Sequence, residues 1–577
     1  MIKLQHSIRD AWQNVASKVN KAVVFIDESS AECLHWSGGA VCLFNAGALD
    51  VKEFSSFESG QSEQRKAVFI LGGPLYGTKM DILCDILRAS SFQYVIVISS
   101  LSPAMHTIVN YGLGEDEGKT FAEVEDLILE WMGNMNYTAE AMYMPVLAAP
   151  ITPNMFMLPQ HYQAFPLLPV DLDTILPAVK MEQKRAAMVS DLEYSHLPKE
   201  LQLSIKLLVC SLNSILENLQ VSEDVYGLGQ TSRIVATELA NLGWAKHRRK
   251  NARHKASLLL VDRTLDIVNV VGHHWETLLD KILSLLPKLP QHTNDVSINM
   301  APVCSVLSNP DCQVIVPGCL AHANDDTSSN ILHTLATLKQ KEALMEVNRQ
   351  IVEAATREKL PIKLTGRPGR VTAEQLGNHV ANFKGNSKSV CRNKGLLQIV
   401  MAVLEALKHP DQVRIDSLLG VEKGLVQTIG EPSGPSPLKQ LTQTLEKEKA
   451  LSENDSTIHE PGSMTSQACL RPLLKSVIDS IFDPSKPDLL DIIYKSTGFR
   501  DLIKSGFGLF MNVSKPRPSD HPVLIVFIIG GTTCTEVRQI VDAASKSNIQ
   551  VIIGSTKLLS PSDLLQQIFV NNHLHPK

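Results

Sequence analysis

Two apolar runs more than two hundred residues apart constrain this chain most. One is LLLV (Leu258–Val261), within KASLLLVDRTLDIVNVVGHHWETLLDKILSLLP (Lys255–Pro287). The other is VLIVFII (Val523–Ile529), which opens VLIVFIIGGTTCTEVRQIVDAASKSNIQVIIGSTKLLSPSDLLQQI (Val523–Ile568). Each has the length of a strand, carries no polar residue and turns sharply into a helical pattern. Unbroken apolar strands suit a sheet covered on both faces, as in the parallel sheets of α/β domains. Two such blocks so far apart predict one domain interrupted by a long insertion.

The first 145 residues predict a separate α/β domain. Strands at Ala22–Asp27, Ala67–Gly73 and Tyr94–Ser99 alternate with helical patterns at ESSAECLHW, TKMDILCDILRAS and FAEVEDLILEWM. That alternation indicates a doubly wound parallel sheet. Prolines recur from Met144 to Pro177, and a residue that removes an amide donor and fixes φ predicts an irregular crossing there. Long helical patterns follow at KELQLSIKLLVCSLNSILENL and SRIVATELANLGWAKH. A charged amphipathic helix is expected over Asn330–Lys359, with more helix at Gly395–Lys408 and Gln412–Ile429. Residues 431–467 are polar and rich in Ser, Pro, Gly and Glu, which predicts a loop with one embedded helix.

A chain of 577 residues exceeds what one core can serve, and several domains are expected. The net charge of −5 gives no overall attraction to nucleic acid or anionic membrane, and 5% aromatic content argues against base-stacking platforms. The apolar runs are shorter than the ~20 residues of a membrane span. The N-terminus lacks the apolar core of a signal peptide. The ten cysteines form no CxxC pair, and Cys304, Cys312 and Cys319 lack a partner pair at zinc-site spacing. Reduced cysteines in a cytoplasmic protein, with no metal and no cofactor, are the expectation.

At the two sheet blocks the sequence resembles the Sec/Munc (SM) family, cytosolic proteins that regulate SNARE assembly in vesicle fusion. The family pattern of an apolar strand ending in Asp-Arg, then an apolar-Asp pair and a Glu/Trp/Leu-rich helix, is similar to LLLVDRTLD (Leu258–Asp266) and HHWETLLDKIL here. Its C-terminal strand, Gly-Gly turn, Thr/Ser-x-Glu-x-Arg helix start and Gly-Ser-Thr strand end match IIGGTTCTEVRQI and VIIGSTKLLSP. VFIDESSAECLHWSGG and FILGGPLYGTKMDILCDIL resemble a divergent vertebrate branch of that family. The resemblance implies an α/β protein shaped as a three-domain arch, with parallel-sheet domains one and two and a largely helical inserted domain three. The expected divisions are 1–145 for domain one, 146–285 and 515–577 for domain two, and 286–514 for domain three.

The matched motif residues have a structural reading. Asp262, Arg263 and Asp266 lie where a strand meets a helix start, where an ion pair or a carboxylate-to-amide bond would fix the turn. Gly530 and Gly531 permit a tight strand-to-helix turn, and Thr535 with Glu536 suits a helix start, followed by Arg538 and, in the last strand, Gly554.

The family's implied function is non-catalytic. It promotes docking and fusion in intracellular transport by binding a syntaxin-type SNARE or a SNARE complex, with indirect membrane contact. The endoplasmic reticulum–Golgi route is the one suggested by the member it resembles. Helix-in-groove recognition needs an exposed apolar stripe on a stable helix. Leu335, Leu338, Met345 and Val352 are the candidates, with core packing as the competing reading. The chain departs from the family here, since DDTSSNILHTLATLKQKEAL has no Asp-x-x-Trp segment. That departure leaves open a scaffold of a vesicle-tethering complex that does not template SNAREs.

GGPLYGTK (Gly72–Lys79) follows a strand and opens a helix, but Thr78 precedes Lys79 where a phosphate loop needs Lys first, and Pro74 removes an amide. A degenerate nucleotide-binding α/β protein is therefore the weaker alternative. His273, His274 and Glu276 fit no zinc-helix spacing. The run AKHRRKNARHK (Ala245–Lys255) holds six Lys/Arg in eleven residues. Its Lys246, Arg248, Arg249, Lys250, Arg253 and Lys255 suit an acidic partner or an anionic membrane, or simply a solvated linker before a buried strand; nucleic acid is not expected.

Overall fold

The computed structural model describes all residues except 112–119, 169, 173–174, 178–190, 272–274, 305–316, 363–370, 410–456, 459–468, 471, 484, 486–488, 496–515, 546 and 570–577. His273, His274, Cys312, the 412–429 helix and nearly all of the 431–467 segment therefore lie outside the described residues.

The first sheet has five strands: β1 (Val23–Ile26), β2 (Asp50–Glu53), β3 (Lys66–Leu71), β4 (Tyr94–Ser99) and β5 (Thr138–Tyr143). They run in the order β2-β1-β3-β4-β5, and every pairing is parallel. Helices Glu28–Ser37, Thr78–Arg88 and Thr120–Met132 connect them, as the alternation predicted. The strand order reverses between β1 and β3, the place where doubly wound sheets open a ligand crevice.

The second sheet takes β6 (Ala149–Thr152), β7 (Met155–Met157), β8 (Val221–Leu228) and β9 (His254–Asp262) from the middle of the chain. A short separate ribbon, β10 (Thr457–Ile458) and β11 (Cys469–Leu470), follows in sequence. The second sheet is completed by β12 (Ile493–Lys495), β13 (Val523–Ile529) and β14 (Gln550–Ser555). Its order is β12-β8-β9-β13-β14-β7-β6. β9 and β13 are neighbours with Leu258 opposite Ile525, so the two apolar runs are parallel partners in one sheet.

Why the runs are unbroken is visible in the packing. Leu524, Val526 and Ile528 enter one core with the helices Asp326–Thr337 and Lys394–Leu407. Ile525, Phe527 and Ile529 enter another with helices Leu4–Ala16 and Lys199–Asn218. Both faces of β13 are dry, and each fully buried Leu, Ile or Phe adds about 1.5–3 kcal/mol. The second core also holds Val24, Ile26, Val68 and Ile96 of the first sheet, so it is continuous between the two sheets.

Three sequence expectations are corrected. The Met144–Pro177 stretch contains β6 and β7, an antiparallel pair at the sheet edge. Pro150 fits there because an edge strand tolerates the lost donor. The Asn330–Lys359 helix is two, Asp326–Thr337 and Gln340–Arg357, parted at Leu338 and Lys339, whose backbones are extended. The basic run is not a linker, since it forms the helix Ala245–Asn251 and then enters β9.

Lys557, just after β14, is 7% exposed, and burial depresses its ammonium to about 8. A lysine whose folded pKa is lowered makes the fold weakest where it is charged. Stability should rise as pH climbs from about 8 toward the ordinary 10.5. Lys557→Met should therefore gain about 1–3 kcal/mol at pH 7. Urea denaturation of both proteins across this pH range should show the gap closing; a parallel offset would refute the assignment.

Candidate partner-binding surface

The hairpin of helices Asp326–Thr337 and Gln340–Arg357 buries a broad apolar set. Leu335, Ala336, Ala343, Val347, Ile351 and Ala355 are all inaccessible. Leu335 is thus core and cannot meet a partner, which removes it from the predicted stripe. Its helix packs against the Lys394–Leu407 and Cys534–Ala544 helices as well as its hairpin partner. Leu338 is 39% exposed at the hairpin turn and Met345 45% exposed on the second helix. Val352 is half-buried seven residues on. Beside this line Arg349 bridges Glu346 at 2.5 Å and Glu353 at 2.6 Å, a surface ladder that rigidifies the helix.

At the strand ends, Asp262 accepts from the Thr231 and Ser232 amides and from Ser232 Oγ at 2.7–2.8 Å, capping helix Gln230–Asn241. Burial nonetheless raises its carboxyl to about 6. Arg263 donates to Glu536 at 2.7 Å and to the Asp266 carbonyl, while the Asp266 carboxylate accepts from the amides of Asn269 and Leu473. Gly530 and Gly531 have φ of +102° and +107°, and a Cβ on Gly531 would sit 2.3 Å from Leu559. The helix cap is Thr533, not Thr535: its hydroxyl and Glu536 form a reciprocal capping box. Thr535 and Cys534 instead donate their amides to the buried Asp280. Arg538 pairs with Glu276 at 2.5 Å, and Gly554 leaves room for Phe156 and Phe527.

The basic run divides in two. Arg248 and Arg249 turn inward onto Glu223 of β8, at 2.7 and 2.9 Å. Lys246, Lys250, Arg253 and Lys255 are exposed. Arg253 also lines a groove of about 920 Å³, opposite Lys3 and Lys18 of the N-terminal segment.

At the crevice between β1 and β3, Asp27 accepts from the amides of Ser30 and Gly72, and Lys79 donates its ammonium to the same carboxylate. Burial pushes Asp27 up, but Lys79 and these donors hold it below the ordinary value. A carboxylate thus occupies the position where phosphate binding would need free donors.

Sequence reasoning missed a join between the first sheet and the rest of the chain. Glu32 accepts from the Thr293 hydroxyl and from the Asn294 amide and side chain at 2.7–2.9 Å. Asn294 in turn accepts from the Leu558 amide at 2.7 Å, and Asn324 donates to the Gly38 carbonyl at 2.9 Å. Val41, Phe44 and Leu49, 47–58% exposed, follow Gly38 on one side of this join. On the other, Asn324 precedes the hairpin's first helix, about 18 Å long, which ends at Leu338. No local pattern announces residues that meet across more than 250 positions.

The Sec1 family model matches residues 319–567. The chain is 36% identical to Sec1 family domain-containing protein 2 of Homo sapiens and 35% identical to that of Mus musculus, over 98% of each chain. Among solved structures, Sly1p in complex with an N-terminal peptide of Sed5p superposes with a TM-score of 0.58 at 13% identity, covering 98% of both chains. The Unc18–syntaxin 1 complex from Monosiga brevicollis gives 0.57 at 12% identity over 99% of this chain and 100% of that one. The SM protein Vps45 in complex with the Qa SNARE Tlg2 gives 0.55 at 12% over 98% of both. These likenesses establish the fold.

Proposed function

Because the chain belongs to the Sec1 family, we propose that it is a non-catalytic regulator of vesicle trafficking that binds a syntaxin-type SNARE or SNARE complex. The observation that carries this reading is the line formed by exposed Leu338 at the hairpin turn, exposed Met345 and half-buried Val352 along the second helix, which charged neighbours stiffen. A SNARE helix can bury such a line by laying its apolar face alongside. Structural neighbours in complex with a Qa SNARE, with syntaxin 1 and with an N-terminal peptide of Sed5p support the partner class. The exposed Val41, Phe44 and Leu49 offer a second contact area across the join. We further infer three domains at 1–145, 146–285 with 515–577, and 286–514. In this reading the protein works from the cytoplasmic side, on the route between endoplasmic reticulum and Golgi, and reaches the membrane through its partners. Among the described residues no helix is long and apolar enough to cross a membrane.

The test is co-elution of the purified full chain with a panel of syntaxin-type SNAREs on size-exclusion chromatography. Leu338→Asp with Met345→Asp should weaken the complex by about tenfold or more without changing the melting temperature. Unchanged binding would move the contact elsewhere. The narrowness of the line, with Leu335 in the core, favours a second reading: a scaffold of a tethering complex that does not template SNAREs. Absence of any SNARE partner for a well-folded chain would decide for it.

A further inference from the structure

We propose that His35, Asp295 and Cys319 form a zinc site that clamps the first sheet's Glu28–Ser37 helix to the segment leading into the helical hairpin. One donor atom from each lies within 4.8 Å of the other two. His35 Nε2 is 2.8 Å from Asp295 Oδ2, and the Asp295 side chain is fully buried. Imidazole, thiolate and carboxylate together are a donor set that zinc accepts at about 2.0–2.3 Å, placing donors roughly 3.3–3.7 Å from each other. To reach that geometry His35 and Asp295 part from 2.8 Å while Cys319, within 4.8 Å of both, closes on them.

The carboxylate and the thiol are held in place independently of any ion. Asp295 accepts from the amides of Val296 at 2.7 Å, Leu320 at 2.9 Å and Ala321 at 3.2 Å. The strand of chain carrying Cys319 is thereby wrapped onto the carboxylate. The Cys319 amide donates to Gln398 Oε1 at 3.1 Å, anchoring the same residue to the buried Lys394–Leu407 helix. Outer hydrogen bonds of this kind fix the orientation of metal-binding side chains. A fourth tetrahedral position falls to water. Binding releases two protons to solvent, one from the Cys319 thiol and one from Nε2 of the His35 imidazolium that faces Asp295. The dication then meets one thiolate, one carboxylate and a neutral imidazole, so the buried cluster carries no net charge.

The cysteine spacing hid this arrangement, because its donors come from three segments and only one of them is a cysteine. The site lies beside the Glu32–Asn294 join, so zinc would fix the same angle between the first sheet and the hairpin. It does not depend on the identity of the partner.

Full-length protein prepared without chelator is expected to carry stoichiometric zinc by inductively coupled plasma mass spectrometry, and to lose it in Cys319→Ser and His35→Gln. Cobalt added to the metal-free wild type should give a thiolate charge-transfer band that is absent from Cys319→Ser and kept by Cys304→Ser. Zinc should also raise the melting temperature of the wild type alone. Wild-type protein without zinc and without the cobalt band would overturn the site, leaving a hydrogen-bonded Cys–His–Asp cluster. Zinc retained by both variants would also overturn it, since the ion would then be held elsewhere. Cys319→Ser keeps the side-chain size, and the wild-type cobalt spectrum decides the matter even if His35→Gln fails to fold.

Discussion

Replacing Arg263 by alanine is expected to cost about 3–5 kcal/mol, because it leaves the Glu536 carboxylate buried without its cation. Arg263 and Glu536 side chains are 2% and 0% exposed and meet at 2.7 Å across 273 residues of sequence. Burial pushes the Glu536 carboxyl up, yet the guanidinium and the Thr533 amide hold it below the usual value. With a folded pKa lowered in this way, the pair's contribution is present above the ordinary glutamate range and is lost as pH falls through the folded value. In Arg263→Ala the sign should reverse. Only burial then dominates, so the variant should recover part of its deficit on moderate acidification. Urea denaturation at neutral and mildly acidic pH would show this as converging midpoints. Arg263→Met combined with Glu536→Gln should be more stable than Arg263→Ala, since it removes both charges together. A single variant within about 1 kcal/mol of wild type would mean that water reaches the pair, contrary to its burial.

That ion pair also shows what the sequence could and could not disclose. β9 and β13 were legible because both of their faces are dry, which forces an unbroken apolar run. β8 was not, because VSEDVYGL carries Glu223 and Asp224 in mid-strand. Glu223 is tolerated at 2% exposure only because two arginines from a later helix reach it. The break at Leu338 and Lys339 carries no glycine or proline, and its apolar spacing runs on across the turn, so one helix was the natural reading. The candidate surface was therefore legible as a segment but not as a set of exposed atoms. Which leucine of the pattern faces water is decided by the packing of Leu335 against distant elements. The join at Glu32, His35, Asn294 and Asp295 was not legible at all. Each residue is ordinary locally and acquires its role from a partner more than 250 positions away.

Glu223→Ala should be as damaging as the loss of Arg263, at about 3–5 kcal/mol, and for the same physical reason with the signs exchanged. Arg248 reaches both carboxylate oxygens at 2.7 Å and also bonds Asn213 at 3.0 Å, while Arg249 shares one oxygen at 2.9 Å. Two guanidiniums 5% and 10% exposed would be left without their carboxylate. The prediction separates the two halves of the basic run. Charge reversal at Lys246, Lys250 and Lys255, all exposed, should leave the denaturation midpoint within about 0.5 kcal/mol of wild type. If the run meets an anionic surface, that triple reversal is the change that should abolish sedimentation with vesicles containing acidic lipid. Arg248→Ala, by contrast, should unfold the Lys199–Asn218 helix from β8 before it altered any surface charge that a partner reads. A stable Glu223→Ala protein would show that the arginines can swing outward, and the whole run would then be available to a partner as one patch.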